Sequence, residues 1–277
     1  MLSVKRFSGS LMQSELSVLF RRRRTWAMLF TISMIPVLLA IAVKLSGSTL
    51  PPGEGPPFLD RVSQNGMFVG FTAMIMAIPL FLPLTIGVVA GDTIAGEANT
   101  GTLRYLLVAP VSRGRLLLVK YFGAVAFALA ATFTLMITGI IIGVILFPVG
   151  PVTLLSGDVI SIPAALLRIF LVVIYVSISL MGLISVGLFV STLTVIPVGA
   201  MAATVVISTV TQILATLPQI SVIHPFLISY YWLGFADLLR NPMSVSSFAS
   251  NALLQLGYIA IFGSLAYSRF TTKDVLS

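Results

Sequence analysis

The run Ala164–Val190, AALLRIFLVVIYVSISLMGLISVGLFV, carries one charge, Arg168, close to one end. A bilayer core needs about 20 apolar residues per helix. Lipid offers the backbone no hydrogen-bond partners, so a run of this kind crosses as a helix. Five more stretches read the same way: Trp26–Val43, Met67–Ala90, Tyr121–Phe147, Val195–Leu217 and the short Leu253–Tyr267. Hydrophobic residues make up 58% of the chain and charged residues 9%, with a mean hydropathy of +1.10, whereas a soluble domain carries about a quarter charged residues. The expected fold is an all-α integral membrane protein, residues 1–277 forming one domain of six transmembrane helices.

Six spans put both termini on one side. That side collects Lys5, Arg6, Arg21 to Arg24, Arg104, Arg113, Arg115, Lys120, Arg269 and Lys273 against Glu15, Asp92, Glu97 and Asp274, an excess equal to the whole net charge of +8. The other side balances Lys44, Arg61, Arg168 and Arg240 against Glu54, Asp60, Asp158 and Asp237. By the positive-inside rule the basic side, with both termini, is expected to be cytoplasmic. Arg21–Arg24, next to Trp26, reads as a topogenic anchor rather than a nucleic-acid patch, and no nucleic-acid partner is expected. Before it, Phe7, Leu11, Met12, Val18 and Leu19 fall near one helical face, so residues 1–24 read as an amphipathic helix in the cytoplasmic interface, in contact with lipid. The small residues Ala40-Ile41-Ala42 resemble a signal-peptide cleavage site. The charged leader is too long for one, so cleavage is not expected.

The loops on the opposite side differ in character. Ser46–Asn65 is rich in Pro and Gly and reads as irregular, and Pro148–Pro163 is short. Residues 218–250 hold Tyr230, Tyr231 and Trp232, suited to an interfacial belt. They read as short re-entrant outer helices between spans five and six. His224, beside Pro225, reads as a belt or packing histidine.

Several chemistries are excluded. There are no cysteines and one histidine, so thiolate sites, disulfides and two-imidazole metal sites are ruled out. No GxxxxGK[ST] loop is present, so the chain has no phosphate cradle of that kind. No catalytic residue, metal site or resident cofactor is expected. The absence of an ionisable residue at mid-span argues against an ion-driven carrier.

One long polar interruption remains on the basic side, Gly91–Lys120, GDTIAGEANTGTLRYLLVAPVSRGRLLLVK. Within it, Thr102 is a candidate N-cap and Pro110 a stop. Leu103, Leu106 and Leu107 make one apolar stripe on about two turns of helix. So short a helix needs a groove to be stable. Glu97 fits either a helix-terminal carboxylate or an ion pair, to a partner or to the leader's arginines.

Glu97, Gly101-Thr102-Leu103, Leu106-Leu107, Pro110-Val111-Ser112-Arg113 and Lys120 resemble the E-x3-GTL-x2-LL-x2-P-[VI]-SR-x6-K pattern of ABC-2-type permeases, the membrane subunits of ATP-binding-cassette exporters. Many relatives have glycine where this chain has Val119. The resemblance implies that Thr102–Ala109 is a cytoplasmic coupling helix between spans two and three, seated in a separate ATP-binding subunit. Glu97, Gly101, Thr102, Leu103, Arg104, Leu106, Leu107, Pro110 and Arg113 would form that contact. It further implies two ATPase copies carrying ATP and Mg, and a second permease copy (a homodimer) or a similar permease. The location implied is a prokaryotic plasma (inner) membrane. The cargo would be hydrophobic or amphipathic, such as a drug, peptide or lipid. A mechanotransmitter driving an extracytoplasmic partner is the alternative.

In span five Thr204, Ser208, Thr211, Gln212 and Thr216 form one polar stripe. It fits helix–helix hydrogen bonding or the lining of a substrate pathway. Gly87-x3-Gly91 and Gly139-x3-Gly143 allow close helix contact, and Pro79 and Pro83 are candidate kinks in span two.

Overall fold

A computed structural model describes residues 2–46, 57–102 and 112–272. The helices are α1 (Leu2–Arg21), α2 (Arg23–Ser46), α3 (Pro57–Gln64), α4 (Phe68–Ala77), α5 (Phe81–Asn99), α6 (Arg113–Leu146), α7 (Ile162–Leu193), α8 (Pro197–Ala215) and α9 (Ser246–Thr272). A hairpin of two short antiparallel strands, β1 (Val152–Thr153) and β2 (Val159–Ile160), joins α6 to α7. Among the described residues six helices are long and apolar enough to cross a membrane: Arg23–Leu45, Phe81–Asn99, Arg113–Leu146, Ile162–Leu193, Pro197–Ala215 and Ser246–Thr272. The chain is an all-α integral membrane protein. The residues 103–110 that carry the expected coupling helix lie outside the described residues, as do residues 47–56 of the Pro/Gly-rich loop. The later part of that loop is not irregular as expected but forms α3, which opens on Pro57, a residue suited to the first helical position because no rung needs its N–H there.

α7 is the axis of the bundle, packed by α5, α6, α8 and α9. Small and hydroxyl residues let neighbours approach it: Ser177, Ser179, Ser185 and Ser191 are all buried and all hydrogen-bonded. The glycine pairs are used within the chain. Gly139 of α6 crosses Gly70 of α4 so closely that a Cβ there would lie 2.5 Å from the Gly70 Cα. Gly91 of α5 stands against α8, where a Cβ would meet the Met201 nitrogen at 2.6 Å. Such contacts replace a hydrophobic driving force that lipid does not supply.

Span two departs from the expected single helix over Met67–Ala90. It divides at Ile78–Leu80 into α4 and α5. Pro79 has no N–H to continue the ladder and its ring crowds the preceding turn. Leu80 takes φ −132°, ψ −57°, outside the helical region. α5 then runs on to Asn99, so the polar residues Gly91–Asn99 are helix and not loop. Span six is also longer than its apolar stretch, Ser246–Thr272. Its polar first half is not a loop, because Asn251 donates to Ser179 Oγ (2.7 Å) and Gln255 to the Ile228 carbonyl (3.2 Å).

The end opposite the basic termini is knitted by side chains. Arg61 donates to the Thr153 carbonyl at 2.8 Å, and Asn65 to Gly150 at 2.9 Å. Lys44 reaches the Leu146 carbonyl at 3.0 Å. Between α8 and α9 the chain forms two 3-10 helices, Pro218–Phe226 and Gly234–Leu239, where short re-entrant helices were expected. Arg168 anchors this segment through the carbonyls of Leu238 (2.7 Å) and Arg240 (2.8 Å), and the Tyr175 hydroxyl through Tyr231 (2.6 Å). Trp232, expected in a belt with Tyr230 and Tyr231, is instead buried in the core, while Tyr230 stays exposed. His224 bonds the Leu217 carbonyl and lies beside the Tyr230 ring, a packing role.

Candidate functional site

The basic end is organised by ion pairs that join four elements. α1 and α2 meet at an elbow at Arg22, where Thr25 Oγ1 donates to the Leu19 carbonyl (2.6 Å) and Trp26 Nε1 to Phe20 (2.7 Å). These side chains satisfy carbonyls that the end of α1 leaves open. From the elbow Arg22 and Arg24 reach Asp92 of α5 at 3.2 and 2.5 Å. One turn further along α5, Glu97 receives Lys120 of α6 at 2.5 Å, and Glu15 of α1 stands 3.4 Å from the same ammonium.

Glu97 therefore has a different setting from the helix N-terminus considered above. It sits in the last turn of α5, where the helix dipole disfavours a carboxylate. Lys120, only 2% exposed, compensates by pairing with it directly. The leader's arginines go to the other acid, Asp92. A cavity of about 30 Å³ lies among Glu15, Arg22, Asp92, Glu97 and Lys120, enough for about one water. The pairs form two adjoining clusters, Asp92 with Arg22 and Arg24, and the enclosed Lys120 with Glu97 and Glu15, which balance in charge only when taken together.

The two edges of the segment 103–111 are held as well. α5 is capped by Thr100, followed by Gly101 at φ +70°, the left-handed turn that favours glycine after a helix. Thr102, expected as an N-cap, donates its hydroxyl back to the Glu97 carbonyl at 3.3 Å. At the other edge Arg113 donates to the carbonyls of Phe270 (3.1 Å) and Thr271 (2.9 Å), fastening α6 to the last turn of α9. Of the expected ATPase contacts, Glu97, Gly101, Thr102 and Arg113 gather at this end. Leu103, Arg104, Leu106, Leu107 and Pro110 lie outside the described residues.

Sequence reasoning missed Ser191. Its hydroxyl, on α7 and fully buried, accepts the N–H groups of Ile94 (3.0 Å) and Ala95 (2.9 Å) and donates to the Gly91 carbonyl (2.7 Å). This side chain therefore ties three backbone groups of α5 to α7 just before Glu97. Nothing distinguishes this serine by spacing from its neighbours in an apolar run.

The polar stripe of span five changes from buried to exposed along its length. Thr204 and Ser208 are buried and bond their own helix, to Ala200 (2.8 Å) and Val205 (2.8 Å). Thr211 and Gln212 are half-buried and both bond the Ser208 carbonyl, and Thr216 is exposed.

Comparison with protein-family models gives a match over residues 11–197 to the family described as ABC-2 family transporter protein. A comparison with curated proteins finds no match. Membrane subunits of this family work with an ABC ATP-binding partner and generally carry no nucleotide site of their own. The match spans about two thirds of the chain, from within α1 to the first residue of α8, and the protein therefore belongs to the ABC-2 transporter family as a permease subunit of an ABC transporter.

Proposed function

We propose that this permease works as an ATP-driven exporter, moving a hydrophobic or amphipathic compound outward. Two copies of the chain (or this chain and a similar permease) sit above two ATP-binding subunits that carry the ATP and Mg. The basic end and both termini face the cytoplasm of a prokaryotic cell, and Thr102–Ala109 forms the grip on the ATPase. The observation that carries this reading is the ion-paired frame around the segment: α5 and α6 lead into and out of it and are locked together by Glu97 and Lys120, with the leader tied in through Glu15. A push received between those helices reaches spans two and three and the leader as one body. Thr204, Ser208, Thr211, Gln212 and Thr216 remain the proposed pathway side of span five, Thr211, Gln212 and Thr216 being the members open at its surface.

The second reading is a mechanotransmitter that passes ATPase motion to an extracytoplasmic partner without bulk transport. The knitted far end, anchored through Arg61, Arg168 and Tyr175, would suit a rigid docking face. Reconstitution with the ATPase in liposomes separates the two. ATP hydrolysis stimulated by lipophilic compounds, with their accumulation on the far side, supports export. Stimulation only by an added extracytoplasmic protein supports mechanotransmission and overturns export.

A further inference from the structure

The break in span two interrupts the backbone ladder at a depth where lipid supplies no hydrogen-bond partners, and its two prolines leave more acceptors than donors there. Pro79 has no N–H to give the Ile75 carbonyl, and Pro83 has none to give the carbonyl of Pro79 itself. The last ladder bond entering the break is Ile78 N–H to Met74, and the turn beyond it resumes with Leu84 N–H to Leu80. α4 starts beside Asn65, which is bonded to Gly150 and Pro151 just ahead of the hairpin, and runs ten residues. At 1.5 Å per residue the break lies about 15 Å below that end, near the middle of a core about 30 Å thick.

The same place is uncovered. Met76, Pro79, Leu80, Phe81 and Leu84 are exposed, Leu80 to 50%, while the other face of α5 is packed by α6, α7 and α8. Non-helical backbone at membrane depth is tolerated where protein buries it or where it borders water, not against lipid tails. α5 and α8 run antiparallel in close contact, Gly91 on Met201 and Gly87 on Val205. One further turn brings Pro83 level with Thr209, so the break stands at the depth of the half-buried Thr211 and Gln212.

We propose that the break at Ile78–Leu80 borders a wet cavity in the permease, and that the carbonyls of Ile75 and Pro79 are acceptors there for hydrogen-bond donors, above all ammonium groups, on the compounds that pass. It rests on the permease reading and names the chemistry it selects: an apolar body bearing a donor. The apolar side chains Met76, Leu80 and Leu84 flank the acceptors and supply the matching greasy wall. A quaternary ammonium, which has charge but no donor, is accepted less well.

The chain contains no cysteine, so each single substitution carries one thiol. Met76→Cys, Leu80→Cys and Leu84→Cys are made alongside Phe133→Cys and Ile141→Cys, exposed positions on the regular helix α6. Each is purified with its ATPase, reconstituted, and labelled with aminoethyl or trimethylammonioethyl methanethiosulfonate. A water-facing break gives labelling at Met76→Cys and Leu80→Cys at least tenfold faster than at the α6 positions. The donor-bearing reagent is favoured by about tenfold at Leu80→Cys relative to a loop thiol at Ser244→Cys, the scale of one hydrogen bond involving a charged group. In Leu80→Cys with Pro79→Ala and Pro83→Ala, which restores the two N–H groups, that preference disappears. Rates equal to the α6 controls overturn the cavity, as does efficient oxidative cross-linking of Leu80→Cys between two copies with slow labelling. Equal reagent ratios overturn the acceptor role. Labelling needs no transport, so failure here leaves ATPase assembly intact, whereas loss of ATPase co-purification would fault the permease reading itself.

Discussion

Lys120 and Glu97 meet at 2.5 Å between α6 and α5, the two helices that lead out of and into residues 103–111. The lysine is 2% exposed and the carboxylate 17%. Removing one partner of such a pair strands the other, which costs about 3–5 kcal/mol where the pair is buried. Lys120→Met is expected to lower the thermal unfolding midpoint of the detergent-purified protein markedly. Glu15→Gln, at the longer 3.4 Å contact, has a much smaller effect. The exchange Lys120→Glu with Glu97→Lys recovers part of the loss. Equal midpoints for wild type and Lys120→Met would contradict the pairing.

Ser191 closes three hydrogen bonds to α5 at once. Ser191→Ala leaves the Ile94 and Ala95 N–H groups without that acceptor in a buried site, at about 1–3 kcal/mol per unsatisfied group. The expected outcome is faster amide exchange at Ile94 and Ala95 in the reconstituted protein, with α7 unaffected. Unchanged exchange there would show that α5 closes its own ladder without Ser191.

The crossing of α4 and α6 depends on Gly70 and Gly139 having no side chains. Gly139→Leu forces the two backbones apart, an overpacking cost of about 1–3 kcal/mol or more. It is expected to reduce the yield of folded protein on size-exclusion chromatography, whereas Gly199→Leu, where a Cβ meets nothing within 4 Å, leaves it unchanged.

Arg168 holds the outer segment by two carbonyls, of Leu238 and Arg240. Arg168→Ala releases them and is expected to expose the Gly234–Leu239 helix to limited proteolysis in sealed vesicles open on that face. Tyr175→Phe, which loses one bond worth about 1 kcal/mol, gives a smaller increase in cleavage. Cleavage rates equal to wild type in both would show that the apolar contacts of Trp232 and Phe235 hold the segment alone.

The six spans are legible in the sequence because lipid imposes its demand on each helix separately, and hydropathy reads that demand. Gly91–Asn99 is not legible as helix. Its acids look like loop residues until Asp92 meets Arg22 and Arg24, and Glu97 meets Lys120, partners 68 to 70 and 23 residues away. Pro79 and Pro83 announce a bend, but whether span two kinks or parts depends on what packs around it. Trp232 shows the limit of composition: an aromatic cluster suggests a belt, while the buried side of the outer segment decides which ring turns inward. An ion pair at Glu97 is among the readings the sequence allows, but not its partner: Lys120 takes Glu97 and the leader's arginines take Asp92, because pairing across helices leaves no local pattern.

The coupling role of the basic end is tested most directly by co-purification with the ATP-binding subunit. Wild-type permease is expected to retain the ATPase through affinity and size-exclusion steps. Leu106→Asp with Leu107→Asp is expected to lose it while keeping the wild-type unfolding midpoint. Retention of the ATPase by a well-folded double variant would contradict the assignment of residues 102–109 as the grip.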